Sequence, residues 1–109
     1  MNSQINVLYP KRAFNASSAV ASQSIAVSTT AIGVTTAFST PPVEMVTFDV
    51  QDQDVRVRWD GTDPTSTVGH VLPASTAYTW TVSQFNAAKF IRDTSATGDA
   101  VVFCSPMMP

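Results

Sequence analysis

Between Glu44 and Trp59 the residues alternate in character, and that alternation constrains the fold more than any other feature of the sequence. Val46, Phe48 and Val50 fall on one side of an extended chain, with Met45, Thr47 and Asp49 on the other. After the polar triplet Gln51-Asp52-Gln53, residues Val55, Val57 and Trp59 alternate with Arg56 and Arg58. A period of two with one apolar side describes a half-buried strand and does not fit a helix, whose period is about 3.6 residues. Two such strands across so short a turn are expected to form a hairpin. The pattern returns at Ala77–Val82, where Tyr78, Trp80 and Val82 share a face against Thr79 and Thr81.

The rest of the chain supplies shorter strands separated by breakers. Ile25–Ser28 and Val34–Phe38 flank Gly33 and are expected to be extended. Pro41 and Pro42 stop the second of them, because proline cannot donate to a ladder. Val68–Leu72 ends at Pro73, and Ser83–Ala88 reads as a helical turn capped by Ser83. Lys89–Arg92 is a further short strand, followed by a polar tip at Thr94–Gly98. Ala100–Cys104 is apolar at every position, as for a central strand covered on both faces. About eight short strands at intervals of roughly 8–12 residues predict an all-β chain. The fold expected is a single antiparallel β-sandwich of jelly-roll type over residues 23–109, with an open barrel as the competing architecture.

Residues 1–22 lack that patterning and read as an extended N-terminal arm. They carry Ile5, Val7, Leu8, Tyr9 and Phe14, which a purely solubilising tail would not need. The arm alone buries too little apolar surface to offset the entropy of ordering it. Two readings stay open for it: it lies on a neighbouring subunit, or it packs on its own domain.

Charged residues make up 13% of the chain, about half the usual share, and Thr, Ser and Ala take their place. A surface of hydroxyls and methyls can be covered by another protein without stripping water from ions. The composition therefore points to a part of an assembly. The net charge is −2, and the basic residues form no stripe, which argues against nucleic-acid binding. No run approaches the roughly 20 apolar residues needed to cross a bilayer. The N-terminus shows no basic start followed by an apolar stretch, so the chain is expected to be made in a cytoplasm and to be soluble. Cys104 is the single cysteine and excludes an internal disulfide; its apolar neighbours suggest a buried thiol.

A search for reactive groups returns nothing assembled. His70 is the only histidine and has no cysteine nearby to complete a zinc site. Neither a Gly-x-Ser-x-Gly elbow nor a glycine-rich phosphate loop is present. Asp52 with Asp54, and Asp60 with Asp63, do not match a calcium-loop spacing, and the bidentate glutamate is missing. No catalytic, cofactor or metal residue is therefore assigned, and the chain is not expected to be an enzyme. Trp59, Tyr78 and Trp80 suit a sugar-binding platform by type, but all three are in phase with apolar faces and are expected in the core.

Four motifs together resemble a known group. They are Val55-Arg56-Val57-Arg58, Asp60-Gly61-Thr62-Asp63-Pro64-Thr65, Gly69-His70 and Leu72-Pro73-Ala74-Ser75, followed by the strand Phe90-Ile91-Arg92 and a last apolar strand. Over about residues 44–104 the chain resembles small structural proteins of tailed-bacteriophage virions. The resemblance implies a part of the phage particle, since such proteins appear as head-decoration, cement, fibre or tail-associated parts. Low charge, hydroxyl-rich faces and the apolar arm favour a capsid decoration or cement protein, a homo-oligomer with a trimer favoured, binding the major capsid protein or other virion proteins. The alternative is a tail or fibre-associated module that binds a host glycan or joins tail components. Within the loop, Asp60 and Gly61 turn the chain out of its strand, and Asp63, Pro64 and Thr65 bring it back. His70 is expected to bond across that loop and hold it shut. Arg56 and Arg58 leave the apolar face together and are expected to pair with acids on an adjacent strand or an adjacent subunit.

Overall fold

The computed structural model describes residues 21–107, and within them every hydrogen-bonded strand pair is antiparallel. The strands are β1 (Gln23–Val27), β2 (Met45–Gln51), β3 (Val55–Arg58), β4 (His70–Leu72), β5 (Thr76–Thr81), β6 (Lys89–Arg92) and β7 (Ala100–Met107), with one short helix, α1 (Val82–Ala87). They form two sheets, ordered β1-β7-β2-β5 and β4-β3-β6. The second sheet continues past β6 through a segment too irregular to be a strand. There Ile32 and Phe90 exchange both backbone hydrogen bonds, at 2.9 and 2.7 Å, and the Arg92 N–H donates to the Ser28 carbonyl at 3.0 Å.

Counting that segment, the chain changes sheet at every connection but the one between β3 and β4, and the first strand lies beside the last. This is the winding of a jelly roll, with its second strand position reduced to one bridge. The expected all-β sandwich is the fold observed.

Three local expectations are corrected. The strands β2 and β3 do not form a hairpin but belong to different sheets, and residues 51–54 are an arch between them. Asp52 takes a positive φ of 76° at its crest, and the Gln53 N–H bonds back to the Gln51 carbonyl. The alternation in sequence is the same for either geometry. In a hairpin the two apolar faces lie side by side; here they face each other across the core. Val34–Phe38 is not a strand. Phe38 is buried, but its backbone is held by the Asn86 side chain, which accepts from the Phe38 N–H at 3.0 Å and donates to its carbonyl at 2.9 Å. The helix cap is Thr81, not Ser83: the Thr81 hydroxyl accepts from the Gln84 N–H at 3.3 Å. Burying Val82 and Phe85 together, three positions apart, puts both in the first turn and leaves Thr81 as the residue before it.

Phe48 is the centre of the core. Its ring meets Trp80 at 4.9 Å, Phe85 at 5.0 Å, Tyr78 at 5.4 Å and Phe90 at 6.1 Å. Offset and edge-on aromatic pairs of this kind each add about 0.5–1.5 kcal/mol beyond the area they bury. The helix α1 closes the end of the sandwich that holds Phe38 and Phe85, and the turns after β2, β4 and β6 close the other end.

Candidate functional site

Three places on the surface follow from this packing: a loop clasp over the second sheet, an aromatic flank between the sheets, and the outer face of the first sheet.

The clasp begins with Arg56, whose position on β3 turns it away from the core. Its Nε donates to Asp93 at 2.6 Å, and its Nη1 donates to the carbonyls of Thr67 and Gly69, each at 3.1 Å. Asp93 is 8% exposed and also accepts from the Ser95 N–H at 2.9 Å and the Ser95 hydroxyl at 2.7 Å. The Ser95 bonds, with Arg56 after them, hold the Asp93 carboxyl down at about 2. Loop residues 60–69 are thereby tied to the turn after β6, and the Thr94 N–H adds a bond to the Ser66 carbonyl at 3.0 Å. Pro64, within this loop, is buried. Gly69 has φ of +137°, and a Cβ there would lie 3.0 Å from the Val57 carbonyl oxygen, so a side chain at this point would push the loop off the sheet.

The loop residues keep part of the role expected of them. Gly61 has a positive φ of 88°, and Asp60 accepts from the Thr62 N–H at 3.1 Å, so the Asx turn is present. The Thr65 hydroxyl accepts from the Val68 N–H at 3.0 Å. Asp63 reaches Lys89 at 3.5 Å, an exposed pair worth little. His70 does not close the loop: among the described residues its ring makes no hydrogen bond, and Arg56 does the closing instead. A guanidinium carries donors enough for a carboxylate and two carbonyls at once, which one imidazole cannot match.

Arg58 pairs with Asp60 at 2.5 Å. Chiefly through that bond, and then through the Thr62 N–H, the Asp60 carboxyl is held below its ordinary value. Both arginines singled out in the sequence thus pair with acids of their own chain. Lys89 and Arg92 complete the set with Asp63 and Asp99, so every basic residue among those described has an acidic partner.

On the flank, Trp59, Trp80 and Tyr78 are in phase with the core as expected, but they stand at its margin. Trp59 follows the last residue of β3, while β4 and β5 are edge strands, so no further strand covers the rings. Trp59 remains 36% exposed, and its ring stacks on the exposed His70 at 4.9 Å. The core reading of Trp59 is therefore corrected: it is exposed. Phase tells which way a side chain points, not how near the edge of the sheet its strand lies.

The outer face of β1-β7-β2-β5 departs most from expectation. β7 is central by hydrogen bonding but covered on one side only among the described residues. Val102 and Cys104 point inward, whereas Val101 is partly exposed and Phe103 is 41% exposed. Register places Phe103 between Ser24 and Asp49, and Val101 between Ala26 and Gln51. Ser105 pairs with Thr47, and Met107, also exposed, with Met45. Ala77, Thr79 and Thr81 extend the face along β5. It carries no basic residue, and its one acid, Asp49, accepts from the Gln51 amide at 2.7 Å. A continuous apolar run in sequence looks the same whether the second face meets another layer of its own chain or stays open.

Ile5, Val7, Leu8, Tyr9 and Phe14 lie outside the described residues. Asp93 was missed by the sequence reading; the signal for it was Asp93-Thr94-Ser95 directly after a strand, a side-chain-capped turn. Among the described residues no three of His, Cys, Asp and Glu converge as a metal site would require. None of the helices described is long and apolar enough to cross a membrane. Compared with protein families, with curated proteins and with solved structures, the chain finds no match in any of them.

Proposed function

We propose that the chain is a structural part of a tailed-phage particle, most specifically a decoration or cement protein that sits on the outer face of the head. The observation that carries this reading is the outer face of β1-β7-β2-β5. It is broad, bears Phe103, Met107 and Val101 among hydroxyls, and holds no Lys or Arg. Such a face loses little ion hydration when covered, and apolar area removed from water there contributes about 25 cal/mol per Å². Repeated over many copies on a shell, modest contacts of this kind add up through avidity.

Two further points support the reading. The motif resemblance over residues 44–104 is to virion proteins, and jelly rolls are common in viral shells as well as in lectins. Fold alone leaves function open, so the face without basic residues carries the argument. In this reading the face meets the major capsid protein, copies associate as a trimer, and the arm of residues 1–22 reaches between capsid subunits. The chain enters β1 on the same side: the Ser22 hydroxyl bonds the Ser105 hydroxyl at 2.7 Å on that face.

Deleting residues 1–22 tests the arm. The shortened chain is expected to fold and to lose binding to emptied heads. Wild-type occupancy of the shells by the shortened chain would contradict it. A second reading, a tail or fibre-associated module that binds a host glycan or joins tail components, is favoured by one observation, the exposed stack of Trp59 on His70.

A further inference from the structure

The end of β3 brings four unlike side chains around one small cavity. After Arg58 the chain leaves the sheet through Asp60 and Gly61, and His70 opens the neighbouring edge strand β4. We propose that the cavity of about 150 Å³ lined by Arg58, Trp59, Asp60 and His70 binds one ring of a neutral sugar. The site stands on its own geometry wherever in a particle the chain sits, and it gives the second reading above a ligand class.

The apolar half of the site is the aromatic stack. Trp59 and His70 lie 4.9 Å apart and within 21° of parallel, a stack in which each ring shields part of one face of the other and still leaves Trp59 36% exposed. Trp80 braces Trp59 from the core side, 4.9 Å away and steeply inclined at 62°. Trp59 is thus held in place. A pyranose presents C–H groups on one face, whose partial positive charge complements the negative face of an aromatic ring. A platform fixed before binding loses little entropy when the ligand arrives.

The polar half is the Arg58–Asp60 pair. Arg58 Nη2 donates to one Asp60 oxygen at 2.5 Å, and the Thr62 N–H donates to the other at 3.1 Å. Each carboxylate oxygen has two acceptor sites, so each retains one for a ligand. The Arg58 Nε and Nη1 donors meet no acceptor among the described residues. Donors and acceptors therefore stand side by side at the cavity rim. Adjacent sugar hydroxyls, each of which both donates and accepts, match that pattern.

Charge selects against the other ligands an aromatic pocket can hold. An anionic group drawn to Arg58 would meet Asp60, and a cation drawn to the rings and Asp60 would meet Arg58. A stacked nucleic-acid base would need a basic track for its backbone, whereas the nearby Lys89 is paired with Asp63 and the chain carries a net charge of −2. A neutral polyhydroxylated ring satisfies the rim and the stack together.

The test is a titration of the full-length protein followed by NMR, watching the Trp59 indole N–H and the His70 ring signals. The probes are methyl β-D-galactopyranoside, methyl α-D-glucopyranoside, methyl α-D-mannopyranoside and N-acetylglucosamine, with N-acetylneuraminic acid as the charged control. At least one neutral sugar is expected to shift both signals saturably in the millimolar range. Trp59→Ala is expected to weaken that sugar about tenfold or more, and Trp59→Phe to weaken it less. Asp60→Asn, at an exposed side chain, tests the rim even if Trp59→Ala fails to fold. It is expected to weaken the neutral sugar and to move preference toward N-acetylneuraminic acid, because Arg58 loses its counter-charge. The proposal is overturned if no neutral sugar moves these signals at tens of millimolar. It is also overturned if the charged control binds the wild type best, or if Asp60→Asn binds the neutral sugar as the wild type does. None of these outcomes depends on whether the protein binds heads.

Discussion

Replacing Asp93 by Asn is expected to loosen the clasp that holds loop residues 60–69 on the second sheet. The substitution keeps the shape of the side chain and removes its charge. Arg56 then keeps its two carbonyl acceptors but loses its carboxylate, and one of the two groups facing the new side chain, Ser95 or Arg56, meets an amide donor instead of an acceptor. The folded-state value of about 2 against an ordinary 3.8 corresponds to roughly 2–3 kcal/mol at ~1.4 kcal/mol per tenfold. Only a single loop layer covers Asp93, so solvent screening reduces this to about 1–2 kcal/mol. For a domain of this size that is a fall in melting temperature of about 5–15 °C.

The pH dependence gives the sharper check. Asp93 has a lower pKa folded than unfolded, so between about 2 and 4 the unfolded chain binds more protons. The stabilisation is complete above about pH 5 and is lost as the pH falls toward about 2. Thermal melts followed by circular dichroism at pH 7 and at pH 3 are therefore expected to show a wild-type advantage over Asp93→Asn that narrows in acid. Equal melting temperatures at pH 7, or a gap that stays constant down to about pH 2.5, would refute the reasoning.

Other outcomes follow from the same structure. Gly69→Ala is expected to cost about 1–3 kcal/mol in a chemical denaturation, because its φ of +137° and the Val57 carbonyl 3.0 Å from the new Cβ both oppose a side chain. Phe103→Lys is expected to leave stability within about 0.5 kcal/mol, since the site is exposed and Asp49 lies opposite, yet to abolish co-sedimentation with heads. Burial pushes the Cys104 thiol up to about 11, so at pH 8 a thiol reagent is expected to label it only after denaturation. Rapid labelling of the native protein would contradict the packing of β7 against the core.

Most of the secondary structure was legible because alternation reports directly on which side of a strand is buried. Val46, Phe48, Val50, Val55 and Val57 are all buried as their period demands. What alternation does not report is the partner. The same pattern in β2 and β3 serves a hairpin or an arch, and only the pairing with β5, β7, β4 and β6 distinguishes them. The segment 28–32 was harder still, because one bridge and one extra hydrogen bond leave no periodic trace. Ala100–Cys104 misled in another way: Val101 and Phe103 are apolar as in a covered strand but face outward, and the proposed contact with heads rests on that departure.

For the candidate site, Asp60, Gly61, Pro64 and Thr65 could be assigned turn roles from residue type, since Asx and hydroxyl capping act within a few residues. The clasp could not, because Arg56 and Asp93 are brought together only by the pairing of β3 with β6. His70 was assigned a hydrogen bond and instead supplies a stacking face to Trp59, a contact set by the β3–β4 register.

Co-sedimentation of the purified full-length protein with emptied phage heads tests the central proposal most directly. The account predicts saturable pelleting with the heads, lost in Phe103→Lys and retained in Asp60→Asn. A protein that stays in the supernatant with heads, while binding tails or host cells, would contradict it.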